Sequence, residues 1–448
     1  MPSALPKLKS IPSPRRWSLR TERLARPEPG PATVAFVGLL AFLLIVYANP
    51  GNWFDGLDEI PFAKIAAGFS LAALGGSWLL YNRRLTIGGV QGWALIGLFA
   101  LVGFSSTWSY WPKFTFDTFT DGLKYLAIFF VIANVVDSEA RLATTIRVLA
   151  LASCIPAFGA IWSHAHGEHL VEGDRAGWLG IFANPNDLAY HLVVGVAMLL
   201  AAANAAHTRG HKLAWWSLLV PVFYAILLTQ SRGGMLAACV VTLFWALRSV
   251  KRAPVILGAA CIAAAIVFIS PNNPWTRRTQ EASAYGEDMS ARGRIDAWRT
   301  GLNIAKERPF TGVGAGAFMI AWPEFAPGDA GEVRTQHNTF IQLLSELGIP
   351  ALLLFVGALV GAVLGMRRAS KVRSSLQPWA RGIQCGLIGF VICSIWGGIA
   401  WTWPVYILLA LAFAARRISY APSFAPARAG DDTVVDRMPE PLPALAGQ

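Results

Sequence analysis

Twelve apolar runs, each close to the length needed to cross a lipid bilayer, dominate this chain: 32–50, 62–81, 91–108, 118–136, 144–162, 188–206, 213–229, 234–250, 254–270, 349–366, 381–397 and 399–415. Inside lipid every backbone N–H and C=O must be satisfied within the protein, so segments of this length are committed to helices. The expected fold is therefore an all-α polytopic membrane protein with about twelve spans. Composition agrees, with 54% hydrophobic and only 14% charged residues and a mean hydropathy of +0.47. The 18 tryptophans fall often near segment ends, as at Trp53, Trp108, Trp111, Trp215, Trp216, Trp401 and Trp403, as expected of interfacial belts.

The net charge of +12 is spread over short clusters between the apolar runs. Such clusters anchor loops on the cytoplasmic side and leave no basic domain for a nucleic-acid partner. Arg83–Arg84, Arg141 with Arg147, Arg209 with Lys212, Lys251–Arg252, Arg367–Arg368–Lys371–Arg373 and Arg416–Arg417 all fall on the side of the basic N-terminus. Both termini are predicted to be cytoplasmic, and the Arg-rich start reads as a retained signal anchor. The organisation that follows is a basic segment 1–31, spans 32–270, an external loop 271–348, spans 349–415 and a disordered tail 416–448. Cys154, Cys239, Cys261, Cys385 and Cys393 lie in apolar runs without CxxC spacing, so they read as packing residues.

Function is sought on the face that carries the long loop. Ile295, Trp298, Leu302 and Ala305 recur there at helical spacing, Gly312-Val313-Gly314-Ala315-Gly316 breaks that helix as a hinge, and a second helix is expected over 336–347. Its apolar face is Phe340, Leu343, Leu344 and Leu347, with Asn338, Gln342 and Glu346 on another side and His337 in its first turn. His337 can exchange protons at neutral pH, or it can simply be a surface or capping histidine. In Gln230-Ser231-Arg232-Gly233-Gly234 an arginine sits at a junction of two spans. Its guanidinium fork beside glycines suits a phosphate or diphosphate, unless the side chain merely snorkels to the interface. Arg277, Arg278, Arg292, Arg294 and Arg299 add positive charge to the loop, with Arg292 and Arg294 favoured for a ligand role.

Asp174 to Asp187 leads straight into a span, and Asn184 or Asn186 can cap that helix or offer amides to sugar hydroxyls. His164, His166, Glu168 and His169 have the composition of a metal cluster but no ligand spacing, so no metal is expected. Gly312-x-Gly-x-Gly316 follows a helix rather than a strand, which argues against a dinucleotide fingerprint. His191, within a span, reads as a packed core histidine.

Taken in order, Arg175 to Asn186 as R-x-G-x-x-G-x-F-x-N-P-N, Ser231-Arg232-Gly233, Arg294 through Pro309-Phe310-x-Gly-Val-Gly-x-Gly, and His337-Asn338 followed by Glu346-x-Gly348 resemble the O-antigen ligase and polymerase superfamily over roughly residues 30 to 417. The resemblance implies a GT-C-like membrane glycosyltransferase of the bacterial inner membrane with a periplasmic active site. It implies transfer of O-antigen glycan from undecaprenyl diphosphate to a sugar hydroxyl of the lipid A-core oligosaccharide, without metal or cofactor and with inversion at the anomeric carbon. His337 would be the general base, and Arg175, Arg232, Arg292 and Arg294 would hold the diphosphate. Asn184, Asn186, Ser231 and Asn338 would make further substrate contacts. O-antigen polymerase and protein O-oligosaccharyltransferase are the alternatives within the superfamily, and a lipid-linked glycan transporter is the alternative outside it.

Overall fold

The computed structural model describes residues 31–53, 56–57, 59–248, 289–372 and 374–420. The expected span at 254–270, Arg277, Arg278, most of the basic N-terminal segment and the tail beyond 420 lie outside the described residues. Every expected span within them is helical: α1 (Pro31–Ala48), α2 (Phe62–Tyr81), α3 (Gly89–Ser105), α4 (Pro112–Val135), α5 (Glu139–His166), α6 (Pro185–Ala205), α7 (Arg209–Ser217), α8 (Leu219–Leu228) and α9 (Arg232–Leu247). After them come α10 (Met289–Glu307), α11 (Phe318–Phe325), α12 (Thr339–Val372), α13 (Gln377–Trp396) and α14 (Trp403–Tyr420). Eight described helical segments, with α7 and α8 counted as one, are long and apolar enough to cross a membrane, and α3 and α9 are shorter apolar helices. The protein is an all-α polytopic membrane protein whose described strands form one short hairpin, Leu170–Val171 with Arg175–Ala176.

The most enclosed span is α6, which packs against α5, α8, α9 and α13. Close approach is possible because small residues face one another. A Cβ on Gly382 of α13 would sit 2.5 Å from Ala201 Cβ of α6, the type of contact that dispersion between membrane helices rewards.

The two ends of the bundle differ. At one end Arg83 donates to Asp137 at 2.7 Å, Arg141 donates to the same carboxylate, Arg417 donates to the Val136 carbonyl at 3.0 Å and Ser375 donates to Glu139 at 2.8 Å. The ends of α2, α4 and α14 and the starts of α5 and α13 thus share one basic face, as the charge pattern predicted. The opposite end carries the loops around residues 106–111, 167–184, 229–231, 308–338 and 397–402.

As the sequence suggested, Gly348 (φ 78, ψ −175) breaks α12 sharply, so its first nine residues form a separate cap helix joined directly to the span. Two sequence expectations are revised. Around α10 the buried positions are Asp296, Ala297, Thr300 and Ile304, whereas Ile295 and Leu302 of the predicted stripe are exposed. Asp296, Ala297, Thr300 and Ile304 form the docking face of α10, and Ile295 and Leu302 stay outside. The Gly-rich segment is also no hinge. Val313 and Gly314 donate backbone hydrogen bonds to the carbonyls of Ser345 and Glu346 at 3.0 and 2.9 Å, and Tyr110 N–H donates to the Val313 carbonyl at 3.0 Å. The segment is pinned between the cap helix and the α3–α4 loop.

Candidate active site

A cavity of about 420 Å³ opens at the loop-bearing end, beneath the cap. His337 lines it, and the chain around His337 explains how the ring is held. The residue sits just before α12 rather than in its first turn, with a left-handed φ of 45°. Such a conformation persists only where neighbours enforce it. On one side Gln336 donates through Nε2 to Glu346 Oε1 at 2.8 Å while its carbonyl accepts from Trp298 Nε1 at 3.0 Å. On the other side Asn338 caps α12, its Oδ1 accepting from the N–H groups of Phe340 and Ile341, and its Nδ2 donates to the Ile395 carbonyl. Asn338 therefore orients the backbone next to His337.

Electrostatics favour the neutral imidazole. Burial lowers the His337 pKa below its ordinary value, and the nearby charges of Arg294 and Arg334 lower it further. Thr335 Oγ1 lies 3.1 Å from Nε2 and fixes the ring plane. Arg334 escaped the sequence reading. It packs across Gly293, where a Cβ would stand 2.7 Å from Arg334 Cδ, so a glycine between Arg292 and Arg294 makes room for a third guanidinium. The pattern Arg334-x-x-His337 was the available signal.

Opposite the cap sequence, the loop before α6 is tied to the α8–α9 turn. Arg175, only 9% exposed, donates to the Thr229 carbonyl at 3.0 Å, to Glu172 at 2.7 Å and to Asn186 Oδ1 at 2.9 Å. Those bonds make it a brace between loops. Asn184 Oδ1 accepts from the backbone N–H groups of Asn186 and Asp187 and caps α6. Both asparagines line the cavity, and their side-chain carbonyl oxygens are engaged, that of Asn184 in the cap and that of Asn186 by Arg175. Ser231 caps α9 by accepting from Gly234 N–H at 3.3 Å, and Arg232 follows as the exposed first residue of that helix. Arg292 is exposed in the first turns of α10. None of Arg232, Arg292 and Arg294 is part of the cavity lining, and Arg294 acts on the site through its charge, which lowers the His337 pKa.

Glu346 is the buried carboxylate of the cavity, 3% exposed, and its Oε2 accepts from Gly316 N–H at 2.9 Å. Tyr190, Asp187, Gln342, Trp396 and Trp401 also contribute walls. No singular sequence pattern marked these five, because they come from three separate helices and a turn. The packed histidine expected at 191 is confirmed: Nδ1 lies 2.8 Å from the Asp187 carbonyl and the ring meets Phe182 edge-on. Among the described residues no group of three His, Cys, Asp or Glu side chains could hold a metal ion.

Comparison with known proteins bears on the same region. Residues 217–356, which include Arg232, Arg294, His337 and Glu346, match the family model described as O-antigen ligase. Over 372 residues the chain is 25% identical to the exopolysaccharide production protein ExoQ of Rhizobium meliloti (strain 1021), covering 78% of this chain and 80% of that protein. The resemblance carried by the motifs therefore holds, and residues 217–356 are the part of this chain that is similar to the O-antigen ligase family.

Proposed function

We propose that this protein transfers a glycan from a polyprenyl diphosphate carrier to an acceptor hydroxyl at the periplasmic face of the inner membrane. The observation that carries the reading is His337, a histidine biased to its neutral form, held in a membrane-end cavity beside Arg294 and Arg334. In the proposed reaction the neutral imidazole accepts the proton of the acceptor hydroxyl as that oxygen bonds to the anomeric carbon. The bond from that carbon to the diphosphate breaks, and its electron pair leaves on the phosphate oxygen. Arg294, with Arg232 and Arg292, would stabilise the charge developing there. A single displacement of this kind inverts the anomeric centre, and it uses neither metal nor nucleotide. Arg175 would act by holding Asn186 and the α8–α9 turn in place.

The acceptor we propose is the lipid A-core oligosaccharide, with undecaprenyl diphosphate-linked O-antigen as donor and both termini cytoplasmic. Its support is the family model, whose description is a ligase. One observation favours a second reading: the related protein is named for exopolysaccharide production, which suits a polymerase that extends the carrier-bound chain. The deciding experiment is reconstitution of purified protein with undecaprenyl diphosphate-linked glycan and lipid A-core, in EDTA and without nucleotide. Glycan on lipid A-core supports the ligase. Lengthening of the carrier-bound glycan replaces it with the polymerase, and the absence of any covalent product with either acceptor overturns transfer altogether. Retention in a linkage analysis of the product would refute the single displacement.

A further inference from the structure

The cavity contains polar groups that proton transfer and diphosphate binding leave unused. Among the described residues seven buried side-chain nitrogen or oxygen atoms have no hydrogen-bond partner, and three of them belong to residues lining this one cavity: Gln342 Oε1, Trp396 Nε1 and Trp401 Nε1. Buried polar atoms are nearly always paired, so such a concentration calls for a ligand that completes it. Trp396 ends α13, Trp401 lies in the turn before α14, and Gln342 projects from the cap helix toward that turn. A Cβ on Gly398 would lie 3.3 Å from Gln342 Oε1, so the amide packs closely against that turn.

The chemistry of the missing partner follows from the set. Two atoms donate, one accepts, and none is charged. A diphosphate offers only acceptors and would leave Gln342 Oε1 unsatisfied, and it belongs with the cations near His337. A pyranose ring has hydroxyls that both donate and accept, together with an apolar C–H face that suits the aromatic walls of Phe114, Tyr190 and the two indoles. We propose that Gln342, Trp396 and Trp401 form the subsite that reads the hydroxyls of a sugar ring held for transfer. The inference rests on the transferase reading above.

The test measures binding, which does not depend on turnover. Wild type and the variants Trp396→Phe, Trp401→Phe and their combination are titrated with native undecaprenyl diphosphate-linked glycan, with bare undecaprenyl diphosphate and with the lipid A-core acceptor. Loss of one hydrogen bond weakens a sugar ligand by about five- to tenfold, while the affinity for bare carrier should not change. Weakening confined to the glycan-bearing carrier assigns the subsite to the donor sugar, and weakening confined to lipid A-core assigns it to the acceptor sugar. Melting temperatures guard against a merely structural effect: each substitution removes an unpaired N–H and keeps a ring, so stability should be held. Unchanged affinity of the double variant for both sugar ligands overturns the subsite. Failure of the wild type to transfer glycan overturns the enzyme reading instead, because sugar-dependent binding is scored separately.

Discussion

Gln336 donates a 2.8 Å hydrogen bond to Glu346, and through this contact the cap helix holds the residue that immediately precedes His337. The second carboxylate oxygen of Glu346 accepts from Gly316 N–H at 2.9 Å, so a single buried side chain connects the cap helix, the Gly-rich segment and the approach to the histidine. Replacing Glu346 with alanine strands two buried donors, each worth about 1–3 kcal/mol. A lower melting temperature in detergent together with slower glycan transfer is expected. Equal melting temperature and rate for Glu346→Ala and wild type would remove this positioning role.

The pH dependence follows from His337. Its pKa is lowered by burial first and then by Arg294 and Arg334, so the neutral base survives to a pH below the ordinary histidine value of about 6.5. The acid limb of kcat/KM should lie below that value. Arg334→Gln removes a positive charge and should move the limb upward, whereas His337→Ala should abolish transfer with the fold intact. An Arg334→Gln profile superimposed on the wild-type limb would contradict the electrostatic account.

Gly312 tests the pinned cap. Its φ is +62°, and a Cβ there would meet the Glu346 carbonyl carbon at 2.3 Å. Gly312→Ala therefore combines a left-handed conformation, costing about 1–2 kcal/mol for a residue with a side chain, with a backbone clash. We expect the cap to loosen, read as faster limited proteolysis of residues 308–338 and loss of transfer. Gly328→Ala is the control, since nothing lies within 4 Å of its built Cβ. If both variants resist protease equally, the segment is not pinned as described.

Arg175 tests the brace. Arg175→Lys keeps the charge but cannot reach the Thr229 carbonyl, Glu172 and Asn186 at once, because an ammonium lacks the planar fork. Transfer by the lysine variant should resemble that of Arg175→Ala, with a drop in melting temperature for both. Full activity in Arg175→Lys would show that charge alone matters there, and would return this residue to diphosphate binding.

Much of this architecture was legible in the chain itself. Apolar runs such as 62–81 coincide with their helices, because lipid leaves a backbone of that length no other hydrogen-bonded form. The alternation of Arg83, Arg141 and Arg417 with the polar loops separated the two ends of the bundle. Ordered motifs were enough to bring out the resemblance to the family and to single out His337. What tertiary structure alone decided is which polar groups are already engaged. Asn184, Asn338 and Ser231 are spent on helix caps and Arg175 on three neighbours, while Gln342, Trp396 and Trp401 retain unpaired atoms. A hydrogen bond depends on distances between segments far apart in sequence, whereas spacing along the chain records only local periodicity. The same reason hid Arg334 and turned an apparent hinge at Gly312–Gly316 into a clamp: both depend on what stands across the gap, which only packing brings into place.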